Sequence, residues 1–273
     1  MTSPAAPVRF PRGSRAAGRF PAGPARYTVI GGGCFGRFYA RQLLRYADRG
    51  GPVAEIEVVD RDPRCRVAQE IDDRRVTLVV ADWADHMSAL LPPAMARIEA
   101  GTPVADRLVP SPFASHVLLE AMRRNAAPEA MVVGAAESEP LFATIQTPFH
   151  RLLQSGNAAL SFATWVCPVN CIEPVTCPAI AAPLDWEMAS AVAAGLPLGA
   201  SGLKSVHVLA CLHEGFGVGT IPIAHIARET LALRAAAERF RAEGHAEGRS
   251  DERGYSVVAT VSTCHGLAGA LRL

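Results

Sequence analysis

Between Tyr27 and Gly36 the chain reads Tyr-Thr-Val-Ile-Gly-Gly-Gly-Cys-Phe-Gly, a short apolar run that meets spaced glycines and then a helical pattern. Few stretches restrict a fold so tightly. Glycines in the spacing G-x-G-x-x-G (Gly31, Gly33, Gly36) let the chain turn sharply, let a pyrophosphate approach the backbone, and let the following helix pack close on the strand. Gly32, Cys34 and Phe35 complete the turn and belong with the expected cofactor-binding residues.

The flanking residues agree with that reading. Gly36, Ala40, Leu43, Leu44 and Ala47 recur at helical spacing and form a small-to-apolar face, while Arg37, Arg41 and Arg45 line another. Glu55-Ile56-Glu57-Val58-Val59-Asp60 is a strand ending in an acid 24 residues after Gly36, a spacing suited to a ribose hydroxyl pair. Asp62 and Pro63 look like an N-cap and a first helical position, and Val76 to Ala81 is a third apolar strand ending at Asp82. The alternative, glycines marking a flexible turn and Asp60 a solvated strand end, leaves the agreement of position, helix face and terminal acid unaccounted for. Asp60 favours NAD, because its charge repels a 2′-phosphate; Arg61 and Arg64 leave NADP open.

The stretches Gly31 to Arg37, Val58-Val59-Asp60-Arg61-Asp62 and Val79-Val80-Ala81-Asp82 resemble the dinucleotide-binding half of the Rossmann superfamily. They are more closely similar to the N-terminal domain of the TrkA and RCK regulators of potassium transport. The resemblance covers about residues 27 to 90, roughly a quarter of the chain, and fold-level likeness licenses a ligand better than a function. It implies an α/β fold with a Rossmann-like doubly wound parallel sheet, and a dinucleotide held by Gly31, Gly32, Gly33, Cys34, Phe35, Gly36, Asp60, Arg61 and Asp82. No family is recognised beyond residue 90.

The chain has 273 residues, 49% of them hydrophobic, and a formal net charge of +1. That suits one large or two small globular domains and gives no reason to expect nucleic-acid binding. No apolar run is long enough to span a bilayer, so a cytoplasmic protein without membrane insertion is expected. Residues 1–26 carry Arg9, Arg12, Arg15, Arg19 and Arg26 among Pro, Gly and Ala, with no acid, and read as a disordered tail; a transit peptide or a misplaced start are the alternatives. The dinucleotide-binding domain is expected over 27–135. Within it fall a helical stretch from Trp83 to Ala100 broken at Pro92-Pro93, a strand at Asp106–Pro110, a helix from Ser111-Pro112 through Arg124, and a short strand at Met131–Gly134. Residues 136–273 form a C-terminal α/β extension or second domain.

That second part carries the loop Cys167-Pro168-Val169-Asn170-Cys171-Ile172-Glu173-Pro174-Val175-Thr176-Cys177-Pro178, after the strand-like Leu160–Val166. Prolines keep it from becoming helix or central strand, so three thiols are held near one another on a stiff loop. Cys167, Cys171 and Cys177 could bind zinc or an iron–sulfur cluster, could act as a redox relay, or could be structural. Cys-Pro-Val-Asn resembles the closing turn of a ferredoxin loop, although that family's C-x₂-C-x₂-C run is absent. A fourth ligand would come from elsewhere. Strand alternation in Ser205–His213 puts His207, Cys211 and His213 on one face, and Cys264-His265 follows a strand from Tyr255 to Thr263.

Gly215 to Pro222 reads as a glycine-rich loop with Thr220 capping a helix to about Glu243, either a connector or a second phosphate contact or lid. Glu243 to Arg253 reads as an exposed loop. Short-chain dehydrogenase, nucleophile-elbow and zincin motifs are absent, and Glu137, Glu139 and Asp185 read as surface acids. Two functions remain. One is an NAD(P)-dependent oxidoreductase of unknown substrate, the other a TrkA-like nucleotide- or redox-sensing regulator working through a protein partner, for which a homodimer is open.

Overall fold

The computed structural model of the chain describes residues 23–110, 116–168, 171–247 and 253–273. Most of the expected N-terminal tail, the start of the helix at Ser111-Pro112, and Val169 and Asn170 of the cysteine loop lie outside the described residues. The chain begins with β1 (Ala25–Ile30), α1 (Cys34–Asp48), β2 (Val53–Asp60), α2 (Arg66–Glu70), β3 (Val76–Val80), α3 (Trp83–Glu99), β4 (Arg107–Val109) and α4 (His116–Ala126). Strands β3, β2, β1 and β4 lie side by side in that order, all parallel.

The rest of the chain supplies β5 (Met131–Val132), α5 (Ala135–Phe142), β6 (Phe149–Leu152), β7 (Ala158–Ser161), β8 (Thr176–Cys177), β9 (Ala182–Pro183) and α6 (Met188–Gly195). After these come β10 (Leu203–Ala210), β11 (Leu212–Glu214), β12 (Val218–Pro222), α7 (Ile223–Glu247), β13 (Tyr255–Val261) and β14 (His265–Arg272). Two of these strands return to the first sheet: β12 pairs antiparallel with β4, and β11 with β12. The second sheet runs β10-β13-β14-β7-β6, parallel between β10 and β13 and antiparallel elsewhere, with β5 beside β14. Both sheets are therefore mixed, and the fold is α/β.

Alternation along the strands decides which helices cover which face. Tyr27, Val29, Ile56 and Val58 pack under Tyr39, Ala40 and Leu43 of α1 on the outer face of the first sheet. Val59 points the other way, into a core shared by Met87 and Leu91 of α3, Leu118 and Met122 of α4, Ile226 and Leu233 of α7, and Val258 of the second sheet. Val257, Ala259 and Val261 turn outward again, onto Phe142 of α5 and Met188 and Val192 of α6. Helices thus cover both outer faces and fill the layer between the sheets. Among the described residues no helix is long and apolar enough to cross a membrane.

Several elements differ from what local pattern predicts. Helix α3 runs unbroken through Pro92 and Pro93. Pro92 has no N–H for the carbonyl of Ser88, and that carbonyl instead accepts from the Asn125 amide at 3.0 Å, so α4 supplies the bond that proline removes. Asp62 does not cap a helix: its carboxylate accepts from Arg64 N in a local turn, and α2 starts four residues later. Thr220 is not a cap either. It is buried within β12, because pairing with β4 holds that segment extended, and α7 then begins at Ile223 and runs on to Glu247 rather than stopping near Glu243.

Candidate functional site

Each glycine of the turn after β1 has its own physical reason, with one exception. Gly31 has φ +89°, a left-handed conformation that side chains resist. A Cβ at Gly32 would stand 2.3 Å from the Cys65 sulfur, and one at Gly36 would stand 1.7 Å from the carbonyl oxygen of Gly31. The first lets the start of α2 pack on the turn, and the second lets α1 sit tightly on the end of β1. Gly33 has φ −74° and nothing within 4 Å of where its Cβ would be, so neither backbone nor packing calls for glycine there. It is the N-cap of α1, and no side chain caps that helix.

Asp60 stands at the end of β2 beside this turn. Its carboxylate accepts from Gly32 N at 2.6 Å and from Asp62 N at 2.9 Å. Cys34 is exposed at the first residue of α1, with Phe35 packed toward the core beneath the helix. Asp82 is employed differently from Asp60: it caps α3, accepting from Ala84 N and Asp85 N, and pairs with the exposed Arg61. The Arg61 guanidinium, followed by those N–H bonds, holds the Asp82 carboxyl below its usual range.

A cleft of about 390 Å³ opens between the ends of the two sheets, lined by Tyr39, Pro110, Cys211, His213, Ser262 and His265 among others. Pro110 follows β4 just as Gly31 follows the parallel strand β1, so cleft and glycine turn lie at the same edge of the first sheet. Cys211 follows β10 and Ser262 follows the parallel strand β13. The carboxyl ends of both parallel sets therefore converge here, where ligands of open α/β sheets bind. Cys211 and His213 come together over Gly219, whose missing Cβ leaves room for them: it would stand 2.8 Å from the Cys211 sulfur.

Proton positions in the cleft follow from the hydrogen bonds. The Ser161 hydroxyl donates to the carbonyl of Ala163 at 2.7 Å, so it accepts from His265 Nδ1 at 3.1 Å, and Nε2 is the lone-pair nitrogen of that ring. Burial pushes His265 below the usual histidine value, with nearby Glu173 opposing. Burial, aided by Cys211, raises the Tyr39 hydroxyl to about 12.

The cysteine loop lies against the same region. Glu173 reaches across to the β13–β14 turn, accepting from Thr263 N at 2.9 Å and Cys264 N at 3.1 Å, and stands 3.5 Å from His213. Burial alone would raise its pKa, but Ser262, His213 and Thr263 outweigh that and keep it low. Cys177 and Cys264 are buried together with Leu184, Trp165 and Trp186. Of the side chains considered as completing ligands, Cys264 joins the loop cysteines, and Cys211, His213 and His265 face the cleft. His207, expected beside Cys211 and His213, is separated from them: β10 ends at Ala210, and His207 is buried between Glu229 and Ser205, each at 2.9 Å. Glu137 is held by Tyr255 and Arg272. The sequence drew no attention to Tyr39, Trp165, Trp186 or Glu173 as site residues; an acid amid three cysteines was the one local signal for Glu173.

The site thus belongs to an α/β protein with a cleft, carrying Tyr39, Cys211, His213 and His265, at the carboxyl ends of its parallel strands. Residues 116–273 match the family described as "Uncharacterized protein, C-terminal domain" (AF_1314_C), more than half of the chain, and the chain belongs to that family. The cysteine loop and Cys211, His213 and His265 fall inside the matched span; the glycine turn and Asp60 precede it. No curated protein and no solved structure matches the chain.

Proposed function

We propose that the chain is a dinucleotide-dependent oxidoreductase, with a Rossmann-like nucleotide site at Gly31–Gly36 and its substrate in the cleft between the sheets. The observation that carries this reading is Gly33. The fold does not require glycine there, yet the position stands at an uncapped helix N-terminus beside the Asp60 carboxylate, where a pyrophosphate must approach the backbone. Amides at the start of α1 would bind the pyrophosphate and Asp60 the adenosine ribose. Asp60 favours NAD, while Arg61 would have to leave Asp82 to meet a 2′-phosphate.

When bound, the nicotinamide would supply hydride transfer. The strand order puts β4 next to β1, so a dinucleotide extending from the turn past β4 reaches Pro110 and the cleft. There Tyr39, Cys211, His213 and His265 are the groups a substrate would meet. Those side chains favour an enzyme over a regulator of the TrkA type, which needs no such cleft. Fluorescence titration with NADH and NADPH tests the reading: saturable binding, tighter for NADH and lost in Gly33→Val, is expected. Absence of binding to either would refute it, and tighter binding of NADPH would reverse the cofactor preference.

A further inference from the structure

The loop Cys167–Cys177 and the β13–β14 turn meet through Glu173, and this contact gathers four of the seven cysteines. Cys171 Sγ accepts from Glu173 N at 3.4 Å, while the carboxylate of the same residue takes the amide of Cys264. Cys264 Sγ accepts from the Trp186 indole at 3.4 Å and shares an apolar pocket with Cys177, which the β8–β9 ribbon holds in place. The buried indole N–H of Trp165 is directed at the thiol of Cys167. A neutral thiol accepts such a donor only weakly, and an anionic sulfur satisfies it better.

We infer that Cys167, Cys171, Cys177 and Cys264 are the four thiolate ligands of an iron–sulfur cluster of the [4Fe–4S] type. A single tetrahedral zinc would draw four sulfurs to about 2.3 Å from one point. Among the described residues no three such side chains are gathered tightly enough to hold one ion. A cubane, with one thiolate on each iron corner, spans thiols that are neighbours but not in contact. Spacings of three and five residues between the loop cysteines likewise differ from the paired C-x₂-C knuckles of zinc sites. Indole donors to sulfur and a casing of Trp165, Trp186 and Leu184 supply the hydrogen bonds and water exclusion that tune such clusters.

The electrostatics agree. Burial, together with neighbouring Cys171 and Cys177, pushes the Cys167 thiol up, and burial with Glu173, Cys167 and Cys171 nearby takes Cys264 to about 12. These couplings put Cys167 within electrostatic reach of Cys171 and Cys177, and Cys264 within reach of Cys167 and Cys171. The inference is independent of the dinucleotide reading, because it concerns metal content and not nucleotide affinity.

The test is to purify the full chain without oxygen, reconstitute it with ferric iron, a thiol reductant and sulfide, and measure iron, acid-labile sulfide, zinc and the visible spectrum. About four iron and four sulfide per chain with a broad visible band are expected. Cys171→Ser and Cys264→Ser should each lose at least tenfold of the iron, whereas Cys34→Ser, at the exposed start of α1, should keep it. Trp165→Phe should retain the cluster but shift its reduction potential to more negative values, since only an N–H to sulfur is lost; this variant keeps the question open to test if a cysteine variant fails to fold. A folded chain without iron, stoichiometric zinc in its place, iron indifferent to Cys171 and Cys264, or a potential unmoved in Trp165→Phe would each overturn the assignment.

Discussion

Replacing Gly33 and Gly36 one at a time separates what the fold needs from what the ligand needs. In Gly36→Ala the new methyl would stand 1.7 Å from the Gly31 carbonyl oxygen, a contact between two pieces of backbone that no side-chain rotation relieves. Overpacking of buried sites costs about 1–3 kcal/mol, and a collision this short belongs at or above the top of that range. With each kcal/mol worth roughly 2–4 °C in a chain near this size, Tm should fall by roughly 6–12 °C. In Gly33→Val the side chain enters open space at negative φ. The unfolded chain loses freedom, which stabilises by about 0.4–1 kcal/mol, and the poorer N-cap takes back a similar amount, so Tm should move little. NADH affinity, by contrast, should drop at least tenfold, about 1.4 kcal/mol, because the side chain occupies the approach to the amides. Calorimetry and fluorescence titration on the same samples give both numbers. A Gly33→Val protein as destabilised as Gly36→Ala, or one that binds NADH unchanged, would refute the reasoning.

Asn125→Ala should destabilise by about 1–3 kcal/mol in urea, since it leaves the Ser88 carbonyl above Pro92 without its donor; an unchanged midpoint would show that α3 tolerates the prolines unaided. Glu120 is held at about 2, below its ordinary 4.5, chiefly by a hydrogen bond from Arg123 and then by Arg124. Its contribution is therefore full above about pH 4.5 and disappears as pH falls toward 2. Because the pair is partly exposed, Glu120→Gln should cost only about 1 kcal/mol at neutral pH, and a stability difference that stays constant down to acid pH would contradict the assignment.

Local chemistry is strongest where the chain's meaning is contained in a few dozen consecutive residues. The run from Tyr27 to Asp60 is legible because strand, glycines, helix face and terminal acid are each set by short-range sterics and periodicity, and the structure adds a hydrogen bond from the Gly32 amide to the Asp60 carboxylate. Period and propensity fail where a distant segment changes the local balance. Asn125 keeps α3 whole across two prolines that by themselves end a helix, and β4 holds Thr220 in a strand where its neighbours read as a cap.

The candidate site divides along the same line. That glycines, an acid and clustered cysteines are the candidate groups was legible from residue types and spacings in the sequence alone. Tertiary structure decided their company: Cys264 joins Cys171 and Cys177 because Glu173 bonds to its amide across 91 residues, and Cys211 and His213 face the cleft because β12 crosses to the first sheet. Such contacts depend on how whole sheets pack, and burial of a shared core is rewarded through the sum of many side chains. No pattern in the residues immediately around Glu173 or Cys264 encodes the other, and so only the folded chain brings them together.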